Sequence, residues 1–357
     1  MKIEKLLSTL KAEINEELRV FFEKKLEGVK KEKKPVEILE MIEFLRDFIL
    51  SSGKRIRPML FCCGYFAAGG KNRKNIIEAS ISMELVHSYL LIHDDIIDRD
   101  DFRHGDFSMH NKYKKKYKCV LSGDACNHFG ISMAIIAGDL ASSFGHKILA
   151  DSEFPDKDKL RAIFEMNKII SNTIIGEAMD VALVVREEYE MKDIIDMQTY
   201  KTAKYTIEGP LRLGAIMAGA DETFLNLFSE YAIPLGVAYQ IQDDVIGVFG
   251  DEKRIGKPVG SDIKEGKKTM LVLKAYEYGD DAQKKILDAL VGKKDITRDE
   301  IDEVREIIEK TGSLDFSKKE IQRLKDAALS NLEKIRMDED HKNFFMEFSD
   351  QLVKREY

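Results

Sequence analysis

Met83-Glu84-Leu85-Val86-His87-Ser88-Tyr89-Leu90-Leu91-Ile92-His93-Asp94-Asp95-Ile96-Ile97-Asp98 is an apolar run broken by Glu84, His87, Ser88 and His93 and carrying paired acids near its end. Its apolar content predicts a buried helix, and acids on such a helix are costly unless something neutralises them. Asp94 and Asp98 are four residues apart and share a helix face, with Asp95 one residue round from the first. Three carboxylates so placed repel one another and call for a cation. Hard oxygen ligands suit Mg²⁺, which keeps several waters and takes further oxygens from a substrate phosphate. The same spacing also suits a helix end running into an acidic, solvated loop, because Arg99-Asp100-Asp101-Phe102-Arg103-His104-Gly105 follows.

A second stretch repeats the design. In Tyr239-Gln240-Ile241-Gln242-Asp243-Asp244-Val245-Ile246-Gly247, another apolar helix delivers paired Asp. Gln240, Asp243, Asp244 and Gly247 fall on one stripe at i, i+3, i+4 and i+7. Two such faces in one chain predict two banks of metal ligands facing across a cavity.

The 357 residues suffice for one large domain or two ordinary ones. No Pro/Gly/Ser-rich linker divides them, only 6 prolines occur, and 3.6-residue periodicity dominates over strand-like alternation. These patterns predict an all-α fold and a single domain spanning 1–357. With 57 basic and 64 acidic residues the net charge is −7, which disfavours a general nucleic-acid binder. The N-terminal Met1-Lys2-Ile3-Glu4-Lys5 is amphipathic rather than a signal peptide, and no run of about 20 apolar residues exists. A cytoplasmic protein without a transmembrane segment is expected. Cys62, Cys63, Cys119 and Cys126 show no paired C-x-x-C spacing, and reduced thiols fit that compartment.

Outward from the two Asp stretches, residues 1–29 read as a helix with the stripe Leu6, Leu7, Leu10, Ile14, Leu18, Phe21 and Phe22. A second helix over 36–50 leads to Gly53-Lys54-Arg55-Ile56-Arg57-Pro58, which sets three cations at the mouth of the next helix. Helix N-termini and guanidinium groups both bind phosphate oxygens. Asp100 to Lys118, with its Lys/Tyr run, reads as a solvated connection. Helices are further expected over 128–140, 156–185, 191–218 and 224–249. The loop 250–268 carries Lys257 and Lys267, and Thr269 to Tyr357 reads as amphipathic helices without chemistry.

In its motifs the chain resembles the trans-isoprenyl diphosphate synthases. The family's DDxxD, four residues and RRG read here as Asp94, Asp95, Asp98 and Arg103-His104-Gly105, and its GKRxRP as Gly53 to Pro58. Asp243-Asp244 match the second Asp motif, with Gly247 where many members carry a third Asp. Lys201-Thr202, Gly256-Lys257 and Gly176-Glu177-Ala178-Met179-Asp180 (Glu in place of Gln) follow in order, and the likeness runs from about Gly53 to Lys268. It implies the isoprenoid synthase fold, a bundle of antiparallel helices around a central cavity, and a homodimer. It also implies prenyl transfer from an allylic diphosphate to isopentenyl diphosphate with about three Mg²⁺, Mn²⁺ being an alternative.

By the same likeness Asp94, Asp95, Asp98, Asp243 and Asp244 hold metal and, with Lys201, form the catalytic set. Arg103, Lys201, Thr202, Gln240, Lys257 and Lys267 hold the allylic diphosphate. Lys54, Arg57, His87 and His104 hold isopentenyl diphosphate. His104 replaces a family Arg, and an imidazole with a reference pKa near 6.5 is not equivalent to a permanently charged bidentate donor. Tyr89 lies five residues before Asp94, about 7.5 Å back along a helix and offset by about 140°. An aromatic there followed by a smaller Leu90 resembles archaeal-type geranylgeranyl diphosphate synthases, hence a C20 product with farnesyl (C15) as alternative. A terpene cyclase would share the metal chemistry without needing Lys54, Arg57 and His87. A regulatory subunit would be expected to lose its Asp banks.

Overall fold

The computed structural model describes residues 3–51, 53–250 and 260–354, and among them the chain is helical apart from one small hairpin. The all-α expectation holds. The chain forms two compact units, Met1–Met166 with Leu213–Gly219, and Asn167–Arg212 with Ala220–Tyr357.

The first unit holds α1 (Ile3–Lys31), α2 (Val36–Ser51), α3 (Ile56–Ala67), α4 (Arg73–Ile97), α5 (Met109–Tyr117), α6 (Gly123–Asp151) and the start of α7 (Asp156–Val184). On α1 the stripe Leu10, Ile14, Leu18 and Phe22 is fully buried, each side chain contributing about 1.5–3 kcal/mol of hydrophobic stabilisation. α4 is buried nearly all round: Ile76, Ala79, Met83, Leu85, Val86 and Ile92 have no exposed surface. Small residues let α6 lie close against it. A Cβ on Gly145 would come 2.9 Å from the Ser82 carbonyl oxygen, and one on Gly138 would come 2.6 Å from His93 Nε2.

Between α4 and α6 the structure corrects the expectation of a solvated connection. Strands β1 (Phe102–Arg103) and β2 (Asp106–Phe107) pair antiparallel, Phe102 with Phe107 and Arg103 with Asp106. The two linking residues, His104 (φ 55°) and Gly105 (φ 80°), both adopt left-handed backbone, the geometry of a type I′ hairpin turn. The Lys/Tyr run is not loop but α5. It docks through Met109 and Tyr113, i and i+4 and both fully buried, a stripe too short to register as periodicity.

The second unit is built on α10 (Glu222–Phe249), which packs against the π-helix Thr199–Glu208 and α15 (Ser313–Leu332). Pro234 inside α10 cannot donate to the Glu230 carbonyl, and Asn331 Nδ2 donates to it instead at 2.8 Å. The expected helix over 191–218 is divided into α8 (Met191–Gln198), the π-helix and α9 (Gly209–Met217). The Gly209 N–H reaches back five residues to Lys204 O, and Pro210, which has no N–H, stands where the pattern changes. α11 (Ser261–Glu265), α12 (Met270–Tyr278), α13 (Asp281–Leu290), α14 (Arg298–Lys310) and α16 (Glu339–Val353) complete this unit. Leu271, Leu287, Val304 and Ile308 close a core around Val245 and Val248 at the end of α10. Among the described residues no helix is long and apolar enough to cross a membrane.

Candidate active site

In the first unit α4 ends at the first Asp bank. Asp98 caps the helix, its N–H bonded to the Asp94 carbonyl at 2.8 Å. Asp94 and Asp98 are part-exposed, whereas Asp95 is fully buried. The hairpin delivers Arg103 to this bank: its Nε donates to Asp95 Oδ1 at 2.6 Å, and its Nη2 lies 3.0 Å from Asp100 Oδ2 and 3.6 Å from Asp94 Oδ2. Burial pushes the Asp95 carboxyl up to about 6 against the pull of Arg103. Asp95 Oδ2 is buried and has no hydrogen-bond partner among the described residues, a costly state unless a water or cation completes it.

A second group of cations belongs to the same unit. Of the three cations at the mouth of α3, Arg55, which the family likeness left out of the anion seat, turns inward. Its backbone is left-handed at φ 56°, and its guanidinium bonds Glu84 Oε1 at 2.5 Å, Ile49 O at 2.6 Å and Asn15 Oδ1 at 2.8 Å. Lys54 is exposed and Arg57 half-buried. Arg57 Nη1 lies 3.2 Å from His87 Nε2. Burial, followed by the charges of Arg57, His104 and Arg103, holds His87 well below the usual imidazole range. A neutral His87 therefore accepts from Arg57. Tyr89 and Leu90 are half-buried, and the Tyr89 ring packs edge-on against His93 at 4.7 Å. His93 Nε2 lies 3.2 Å from the Ile135 carbonyl oxygen of α6.

In the second unit the π-helix supplies Lys201 and Thr202. Lys201 Nζ pairs with Asp180 Oδ2 at 2.6 Å and Glu177 Oε2 at 2.8 Å, both on α7. The two helices touch because residue 176 is Gly: a Cβ there would come 2.2 Å from the Lys201 nitrogen. Thr202 Oγ1 donates to Gln240 Oε1 at 2.6 Å, and Gln240 Nε2 donates to Asp244 Oδ1 at 2.8 Å. Gln198 Nε2 donates to the other Asp244 oxygen at 2.9 Å. Asp244 is buried, and burial followed by the charge of Asp262 pushes its carboxyl well above the ordinary carboxylate range. Asp243 beside it is part-exposed. Lys267 lies 3.6 Å from Asp262 and 3.1 Å from Glu265. Lys257 lies outside the described residues.

Of the residues named from the sequence, the structure joins Asp94, Asp95 and Arg103 in one cluster and Thr202, Gln240 and Asp244 in one hydrogen-bonded chain, while Lys201 pairs with Glu177 and Asp180. Sequence reasoning passed over Gln198, Glu177 and Asp180 as site residues, although the G-x-x-x-D element marks the last. Among the described residues no three His, Cys, Asp or Glu side chains form a ready-made metal cage. Mg²⁺ characteristically takes one or two carboxylates and fills its shell with water and phosphate oxygens, so two part-open carboxylate banks with an uncompensated buried oxygen fit it.

Two such banks in an all-helical chain are suited to a divalent cation and a phosphate-bearing ligand. Comparison with known proteins narrows this further. The polyprenyl synthetase family model matches residues 39–308. The chain is 36% identical over 279 residues to the short chain isoprenyl diphosphate synthase of Methanocaldococcus jannaschii, covering 76% of this chain and 77% of that protein. It is 34% identical over 269 residues to the geranylgeranyl diphosphate synthase of Sulfolobus acidocaldarius, covering 75% and 76%. Its fold superposes with a TM-score of 0.89, at 28% identity and over all of both chains, on a geranylgeranyl pyrophosphate synthase from Corynebacterium glutamicum complexed with isoprenyl diphosphate and magnesium. The chain belongs to the polyprenyl synthetase family and is a prenyltransferase.

Proposed function

We propose that this enzyme condenses isopentenyl diphosphate with allylic diphosphates and releases geranylgeranyl diphosphate, C20. The observation that carries the reading is the Arg57–His87 pair, with His104 and Arg103 acting on it, beside the first Asp bank. Ionising one diphosphate requires only carboxylate-bound metal. A second anion seat is useful only if a second diphosphate binds, which separates chain elongation from cyclisation.

Asp94, Asp95, Asp98, Asp243 and Asp244 are the proposed metal-holding carboxylates. Mg²⁺, for which Mn²⁺ is a substitute, would supply the positive charge that makes pyrophosphate a leaving group. The three part-exposed acids, Asp94, Asp98 and Asp243, present the more available oxygens. Buried Asp95 fixes Arg103, whose remaining donors turn to the allylic diphosphate. Lys201, Lys257 and Lys267 would add positive charge on the same group, and the Thr202–Gln240–Asp244 chain holds the second bank in register. Lys54, Arg57, His87 and His104 orient isopentenyl diphosphate. Its double bond attacks C1 of the allylic cation, and the proton then lost passes to the departing pyrophosphate, so no protein base is required.

Tyr89 is the proposed floor of the product channel, with Leu90 beside it leaving room beyond C15. The match unbroken from 39 to 308 spans both compact units and supports one catalytic domain. Exposed Ile135 and Ile136 on α6, and Ile174, Ile175 and Val181 on α7, support burial against a second copy in a homodimer. Four free cysteines accord with a cytoplasmic setting. Purified chain with Mg²⁺, labelled isopentenyl diphosphate and C5, C10 or C15 primers, followed by product sizing, tests the reading. Lack of incorporation from every primer contradicts it.

A further inference from the structure

Gln198 is the last residue of α8, immediately before the π-helix, and is wholly buried. Its Nε2 donates to Asp244 Oδ2 at 2.9 Å, while its Oε1 is buried with no partner among the described residues. An unpaired buried acceptor costs about 1–3 kcal/mol, a cost that an apolar Met in the same space would not carry. The amide therefore has its use in the donor it offers Asp244. We infer that Gln198 is a positioning residue of the second bank, holding the Asp244 carboxylate in the orientation that a divalent cation meets. The inference rests on the metal-holding reading of Asp244 above and adds the residue that aims it.

The sequence sets four polar groups on two facing stripes. Gln198 and Thr202 are four residues apart on one segment, and Gln240 and Asp244 four apart on α10. They pair as an antiparallel ladder, Gln198 with Asp244 and Thr202 with Gln240, and the bond from Gln240 Nε2 to Asp244 Oδ1 closes it along α10. The two segments approach closely because residue 236 is Gly: a Cβ there would come 2.5 Å from Ala203 Cα. Beside that contact Ala203, Val237, Ala238 and Ile241 share one buried cluster, which fixes the separation at which both rungs form. Asp244 thus takes one amide on each oxygen, Oδ1 from its own helix and Oδ2 from α8. One amide alone would leave the carboxylate free to rotate about its Cβ–Cγ bond, and the second stops that rotation. A carboxylate oxygen has two lone pairs, so each oxygen keeps one for a cation.

The test is Mn²⁺ binding to full-length protein saturated with inorganic pyrophosphate, read from the electron paramagnetic resonance of free Mn²⁺. Two substitutions remove the donor in different ways: Gln198→Met keeps the bulk, and Gln198→Asn keeps the amide but falls one methylene short. Each is expected to weaken the tightest Mn²⁺ by about 10-fold or more, with thermal melting without metal showing which variants fold. A double-mutant cycle separates aim from packing. If Gln198 acts through Asp244, either substitution adds less than about twofold in an Asp244→Ala background, whereas a packing defect would weaken binding equally in both backgrounds and overturn the assignment. Wild-type Mn²⁺ binding in the folded Gln198 variants, alongside lost binding in Asp244→Ala, also overturns it and leaves the Asp bank standing. Wild-type binding in the Gln198 variants and in Asp244→Ala alike removes Asp244 from the bank, and the assignment with it.

Discussion

Asp94 and Asp243 are the part-exposed members of two carboxylate pairs whose partners, Asp95 and Asp244, are buried and already held by Arg103, Gln198 and Gln240. Asp94→Ala or Asp243→Ala should therefore lower kcat by about 100-fold or more, since each removes charge stabilisation at ionisation. Thermal melting without metal should be little changed, because loss of one acid relieves repulsion. His104 joins two constraints. It stands in left-handed backbone at the first position of a I′ turn, a region in which His is several-fold enriched, and its charge acts on His87. His104→Arg should lower KM for isopentenyl diphosphate, more at pH 8 than at pH 6, because imidazole gains charge as pH falls whereas guanidinium is always charged. KM for the allylic substrate should hold steady; no change in either KM at both pH values would remove residue 104 from that subsite. Tyr89, edge-on to His93, gives a third case: Tyr89→Ala should shift products beyond C20 on reversed-phase sizing.

At the scale of elements, the buried Arg55–Glu84 pair locks the turn before α3 to α4 and to Ile49 of α2. Glu84→Ala leaves a guanidinium buried without its counter-charge, and denaturant titration should show a loss of about 3–5 kcal/mol. Close contact of α7 with the π-helix sets a second expectation. Gly176→Ala would drive a methyl into the Lys201 backbone, with about 1–3 kcal/mol of strain and an accompanying fall in kcat, read by melting and steady-state rates together. Long helices with continuous stripes, α1, α4, α7 and α10, were legible because four or more buried side chains repeat at 3.6-residue spacing. The hairpin was not, since two-residue strands carry no period. α5 hid behind its lysines with only Met109 and Tyr113 beneath it, and the π-helix differs from an α-helix by a shift that apolar spacing does not register. Within the proposed site, the motifs pointed to both acid pairs. Charge alone did not separate Arg55, which points inward, from Lys54 and Arg57, because three cations in one turn look alike until burial sorts them; only the family likeness left Arg55 out of the anion seat.

For the molecule as a whole, a net charge of −7 sits uneasily with two polyanionic substrates unless cations are concentrated where the diphosphates bind. The proposed function assigns this to Arg57 and Arg103 in one compact unit and to Lys201 and Lys267 in the other. The central claim is that a second diphosphate is bound and joined to the first. Its most direct test is a single-turnover reaction with Mg²⁺ and labelled farnesyl diphosphate, with and without isopentenyl diphosphate. The account predicts that geranylgeranyl diphosphate forms only when isopentenyl diphosphate is present, and that Arg57→Ala abolishes this elongation far more than it weakens farnesyl diphosphate binding. Diphosphate release at the same rate without isopentenyl diphosphate, giving cyclised or hydrolysed C15 product, would contradict it.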